Sequence, residues 1–167
     1  MYLFRFALLA SFSLFFTAAT AQDAPAAGPV ILTVTGLDPA TFPNGEAEFD
    51  LSQLQAIGAE QITTGSIWTK GAHVYTGVML RALTDHLNVT AGTLKLHALN
   101  DYAVTLPLAE ATAEGPMLAY LMDGAAMSVR DKGPIWAVYP YDSDLRFRTD
   151  QTFARSVWQL DRIEVVR

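Results

Sequence analysis

An α+β fold with a mostly antiparallel or mixed sheet is predicted by three observations. Short β-branched and apolar segments alternate with period two along much of the chain. Two or three helical stripes stand among them without a regular strand–helix–strand rhythm. The stretch from Met117 to Pro140 then reads as strand, Asp123-Gly124 turn, second strand, basic loop, Gly133-Pro134 and third strand. Asp-Gly between two apolar runs is a hairpin signal because the turn needs positive φ at its centre.

The elements follow in order. Arg5 is the only early charge, Phe6 to Phe16 is an apolar run too short to span a bilayer, and Ala19-Thr20-Ala21 has the small-x-small form of a cleavage site. These predict a secretory signal over residues 1–21, which would place the mature chain in the periplasm with no membrane insertion. Residues 22–29, rich in Ala and Pro, read as a flexible lead-in, and residues 30–167 as one domain. Val30 to Thr35 is β-branched and predicts the first strand. Gly36 and Pro39 to Gly45 form a loop, and Ala47 to Phe49 a short second strand. Asp50 stands at the N-cap position before Leu51, Leu54 and Ile57, which share one helical face, and Gly58 ends that helix.

Gln61 to Ser66 predicts a strand running into Trp68, Lys70 and Gly71. Thr76 is positioned to cap a helix in which Met79, Leu80, Leu83 and Leu87 form the apolar stripe and Arg81 stands four residues before Asp85. Leu94, Leu96 and Ala98 alternate with Lys95 and His97, so one side of that strand is core. Asn100-Asp101 turns the chain into a strand with Val104 and Leu106. Pro107 to Thr112 opens a short helix, and Ile163 and Val165 alternate with Arg162 and Glu164 in a closing strand.

Composition narrows the function. Cysteine is absent, so no disulfide staples the fold, and a domain of this size has core enough without one. Removing Arg5 with the signal lowers the 11 basic residues to 10 against 17 acidic ones, taking the net charge from −6 to −7. So acidic a surface opposes a phosphate backbone, which excludes nucleic acid as a partner.

Arg130, Lys132, the segment Arg146 to Arg148 and Arg155 gather cations in this acidic chain. Arginine forks match carboxylate, sulfate or phosphate, so a small anion is one use for them and solvated ion pairs are the other. Trp68, Tyr75, Trp136, Tyr139, Tyr141 and Trp158 suit either a pocket mouth or the core. His73, His86 and His97 lack metal spacing. Ser66, Ser128, Ser143 and Ser156 lack a nucleophile-elbow pattern, and Asp142 and Asp144 read as turn formers around Ser143.

Four segments in order resemble the oxidoreductase molybdopterin-binding domain family, the catalytic fold of sulfite oxidases. They are Tyr75-Thr76-Gly77-Val78-Met79-Leu80-Arg81-Ala82-Leu83; Asn100-Asp101-Tyr102-Ala103-Val104-Thr105-Leu106-Pro107-Leu108; Leu118-Ala119-Tyr120 through Asp123-Gly124 and Gly133-Pro134 to Pro140; and Arg155-Ser156-Val157-Trp158 to Val165. The resemblance implies a sulfite-oxidase-like fold, a molybdopterin cofactor and redox catalysis. It also implies a metal-binding cysteine before the Gly-Val segment, where this chain has Gln61-Ile62-Thr63-Thr64-Gly65. A neutral, hard threonine hydroxyl does not replace a soft thiolate on a redox metal.

Trp136 stands where the family often has Arg, and the chain is much shorter than a full sulfite oxidase. Proteins exported with such a cofactor are expected to carry paired arginines in the signal, whereas Arg5 is alone. The expectation is therefore a cofactor-free, exported relative that is not an enzyme. It would bind a small anionic or polar ligand, or a membrane-anchored sensor or redox partner, through Thr64, Trp68, Arg81, Arg130, Lys132, Trp136 and Arg155. The alternatives are a molybdopterin-dependent oxidoreductase in which Thr64 or water completes the metal site, and a structural or assembly protein.

Overall fold

The computed structural model describes residues 26–167; the expected signal and the first part of the lead-in lie outside the described residues. Among the described residues, ten strands form two sheets. In the first, β1 (Leu32–Thr35), β2 (Glu46–Phe49), β5 (Thr93–Ala98), β6 (Ala103–Pro107) and β10 (Leu160–Val166) lie in the order β2-β1-β10-β5-β6. β1 runs parallel to β10 and the other neighbours are antiparallel, so this sheet is mixed. In the second, β3 (Glu60–Gly65), β4 (Ala72–Met79), β7 (Met117–Met122) and β8 (Ala125–Ala126) follow in that order, and β9 (Trp136–Val138) also pairs with β7. All pairings in this sheet are antiparallel.

β7 explains the layering. Successive side chains of a strand point to opposite faces. Leu118 and Tyr120 enter a large aliphatic core with Leu32, Leu94, Leu96 and Ile163 of the first sheet and with Leu54 and Leu83 of the helices. Met117 and Ala119 enter a second, aromatic core with Tyr75, Trp136, Tyr139 and Tyr141. Buried on both faces, β7 reads as an unbroken apolar run. The predicted hairpin is present, with Asp123 at φ 51° and Gly124 at φ 79°, and β5 alternates between buried and half-buried residues as expected.

Among the described residues, three α-helices accompany the sheets: α1 (Leu51–Gly58), α2 (Leu80–His86) and α3 (Asp150–Ala154). Several details differ from expectation. Thr76 does not cap α2; it lies within β4, where Val74, Tyr75, Thr76 and Val78 favour extended backbone, and α2 starts after Met79 with no side-chain cap. Leu54 of α1 is buried, but Leu51 at the first turn is exposed. The opening expected over Pro107 to Thr112 is a single 3-10 turn, Leu108–Glu110. α3, capped by Thr149 onto the Thr152 amide, was not foreseen.

Asp50 joins the lead-in to α1. Its carboxylate accepts from the Gln53 amide at 2.9 Å and the Ser52 hydroxyl at 2.6 Å, while Gln53 Oε1 accepts from the Asp50 amide at 2.9 Å, which makes a capping box. The other carboxylate oxygen accepts from the amides of Ala27 at 3.0 Å and Gly28 at 2.8 Å. These bonds, the Ser52 hydroxyl first and the Gln53 amide next, hold the Asp50 pKa down to about 2. A carboxyl with a depressed folded pKa stabilises the fold above its unfolded value, near 4, and loses that contribution as pH falls toward 2. Asp50→Asn is therefore expected to flatten the acid limb of the stability curve between about pH 4 and 2. Unfolding midpoints measured across that window check this; a slope equal to wild type would contradict the assignment.

Candidate functional site

β3 ends at Thr64-Gly65 against the turn after β9. The Thr64 side chain is fully buried, and its hydroxyl donates to the Gly65 carbonyl at 3.2 Å while accepting from the Asp142 amide at 3.1 Å. The Gly65 amide donates to Asp142 Oδ2 at 2.5 Å, and Arg148 is hydrogen-bonded to the other Asp142 oxygen. The Asp142 carboxyl is accordingly held below its ordinary pKa, first by the Gly65 amide and then by Arg148. A carboxylate thus already closes over the end of β3. The Thr64 proton is committed to a backbone carbonyl, so ionising the hydroxyl would forfeit that bond, and what it offers a metal is a neutral, hard oxygen in place of a soft thiolate. Among the described residues, no group of three or more His, Asp or Glu side chains is placed to hold an ion. Residues 61–65 therefore do not fit the metal–sulfur attachment that the resemblance implies.

Beside this closed end lies the aromatic core. Trp68, on the loop after β3, meets Trp136 edge-on at 5.9 Å, Trp158 at 5.5 Å, Phe153 at 5.7 Å and Tyr141 at 6.4 Å between ring centroids. Trp136 is fully buried and its indole N–H donates to the Ser156 carbonyl at 3.2 Å. The Tyr141 hydroxyl donates to Ser156 Oγ at 2.6 Å, and burial pushes the Tyr141 phenol up to about 12, so it stays a neutral donor. Lys132 Nζ lies 5.4 Å from the Trp136 ring centroid and 5.9 Å from that of Trp158, within cation–π range.

On the outer side of these rings is a pocket of about 340 Å³, lined by Trp68, Asn100, Tyr102, Phe153, Val157 and Trp158 among others. Its Tyr102 wall is tied down by a 2.8 Å hydrogen bond from the Tyr102 hydroxyl to the Ala154 carbonyl. A neighbouring, more polar groove of about 450 Å³ runs past Gly65, Ser66, Asp142 and Arg148. The apolar pocket has the size and lining of a small-molecule site, rigid ring faces with a few polar groups at the edge.

The seven residues predicted for the site fall into separate places. Trp68, Trp136 and Lys132 come together, with Trp136 as core beneath the pocket because its ring is wholly enclosed. Thr64 lies one step away, behind Asp142. Arg81 is exposed on α2 and paired with Asp85 at 2.7 Å. Arg130 is exposed in the loop after β8 and forms no ion pair among the described residues. Arg155 is 8% exposed, ion-paired with Glu110 and bonded to the Thr105 carbonyl at 3.0 Å, on the opposite side of α3 from the pocket. Tyr102, Phe153 and the locking role of Asp142 were missed. Asp142 acts on Gly65 across 77 positions, for which no local pattern exists.

Comparison with known proteins agrees with this architecture. The crystal structure of the sulfane dehydrogenase SoxCD from Paracoccus pantotrophus is similar, with a TM-score of 0.57 and 16% identity. The similarity covers 80% of this chain but only 37% of that one, so this chain spans well under half of the larger protein's length. No curated protein matches the sequence. Residues 30–167 match the family described as oxidoreductase molybdopterin binding domain, and the chain belongs to that family, with its sulfite-oxidase-like fold.

Proposed function

We propose that the protein is an exported, periplasmic member of this family that has given up molybdenum redox chemistry and serves as a ligand-binding module. The observation that carries the proposal is the state of Thr64. At the point where the family resemblance expects a thiolate, a buried, neutral hydroxyl donates its proton to the Gly65 carbonyl and accepts from the Asp142 amide, and the Asp142 carboxylate closes the same strand end. Trp136, in place of a cation, fills the space beneath with an apolar ring. What remains open is the pocket walled by Trp68, Phe153 and Trp158, which suits a small polar molecule with a flat face.

The test is the metal content of the full-length protein produced and exported in a host that makes the pterin. The expected result is no bound molybdenum and no visible absorption. Stoichiometric molybdenum, retained through purification, would overturn the proposal in favour of a molybdopterin-dependent oxidoreductase. Cell fractionation checks the compartment, with the processed chain expected in the periplasmic fraction.

A further inference from the structure

We infer that the cavity on the far side of α3 binds the carboxylate of a small organic monoacid, held by Arg155 and Tyr139. The cavity measures about 340 Å³ and is lined by Glu110, Tyr139, Arg146, Phe147, Gln151 and Arg155 among others. Two of these residues are nearly enclosed, Arg155 at 8% and Tyr139 at 5% exposure, yet each has an unused polar atom. Arg155 spends Nε on the Thr105 carbonyl and Nη1 on Glu110, while Nη2 makes no hydrogen bond among the described residues. The Tyr139 hydroxyl likewise bonds to nothing among them. Neither atom is among the sealed, unpartnered polar atoms of the structure, so each keeps access to solvent, and both residues line the cavity.

A guanidinium N–H and a phenol on residues this little exposed keep only thin hydration, so an acceptor reaching them gains more than it would on an open surface. Burial raises the Tyr139 pKa, so the phenol remains a proton donor at any physiological pH. Two donors lining one cavity, near enough for the Arg155 charge to act on the Tyr139 phenol, match the two oxygens of one carboxylate.

The charge around the cavity sets the class of anion. Glu110 stays beside Arg155, and Arg146 is already paired with Glu114 at 2.5 Å and with Asp144 at 3.6 Å. Two cations facing three carboxylates have little attraction left for a dianion such as sulfate or hydrogen phosphate, whereas a monoanion needs only the one open edge of Arg155. The ring of Phe147 and the methyl of Ala109 line the remaining wall, against which the organic part of the acid rests. This site shares no residue with the Thr64 segment, so it holds whether or not the proposal of a molybdenum-free protein does.

The experiment is calorimetric titration of the full-length protein with acetate, propionate and benzoate, with sulfate and phosphate in parallel. Saturable binding of a monocarboxylate, with neither dianion competing, is the expected result. Tyr139→Phe, which removes only the hydroxyl, should weaken it by about tenfold, the effect of one hydrogen bond to a charged group. Glu110→Gln, which removes the competing carboxylate, should tighten it severalfold. A merely structural role for the pair predicts no such opposite effects. Absence of monocarboxylate binding, preferential binding of a dianion, or affinity unmoved in both variants would overturn the assignment. A positive molybdenum assay with intact carboxylate binding would remove only the earlier proposal.

Discussion

Trp136→Arg, which installs the residue that the family often has at this position, is expected to unfold the protein or to lower its stability by about 3 kcal/mol or more. The indole is wholly enclosed, with Tyr75 5.5 Å and Trp68 5.9 Å away between ring centroids, and its N–H is bonded to Ser156. A guanidinium there would enter an apolar space with no carboxylate assigned to it, close to the ammonium of Lys132. That ammonium is now attracted to the Trp136 ring and would instead face a like charge. Denaturant unfolding of wild type, Trp136→Arg and Trp136→Phe decides the matter. The phenylalanine variant keeps a ring and should lose much less. An arginine variant as stable as wild type would mean that the space beneath the pocket still accepts a cation, and the case for a repurposed site would weaken.

The parts of the fold that could be read from the chain are those whose cause is local. Asp123-Gly124 announces its own turn, Leu94, Leu96 and Ala98 announce the buried side of β5, and Asp50 announces the start of α1. Partnerships across long separations were not legible. Cations drawn together on charge alone were dispersed by carboxylates that no short-range pattern pairs with them: Glu110 with Arg155 across 45 positions and Glu114 with Arg146 across 32. Asp142 and Asp144 do form turns, as their placement suggested, but the Asp142 carboxylate also closes the end of β3. The same gap hid the division of the aromatic residues between enclosed Trp136 and the pocket walls, because burial of one ring depends on where the others arrive.

The strand mistaken for a helix start supplies the second large effect. Tyr75-Thr76-Gly77-Val78 fits either a capped helix or a strand by sequence, and only pairing with β7 settles it. Gly77 lies opposite Ala119, where the register between β4 and β7 shifts after Thr76. A Cβ on Gly77 would stand 2.2 Å from the Leu118 carbonyl oxygen and 2.7 Å from the Ala119 Cα, both backbone atoms of the neighbouring strand. No rotamer change relieves such an overlap; the two central strands of the second sheet must part. Gly77→Ala is thus expected to cost about 3 kcal/mol or more, at the upper end for overpacking, because the clash is with backbone. Thr76→Val separates the two descriptions of this segment. As a helix cap, Thr76 would be missed by about 1 kcal/mol. As a strand residue with one exposed 3.2 Å bond from Gln61, it should change stability by less than about 0.5 kcal/mol, since valine suits extended backbone equally well. Urea midpoints for the two variants test both statements. A tolerated alanine at 77 together with a costly valine at 76 would return the segment to a helix start and move Tyr75, with the aromatic core built on it, away from Trp136.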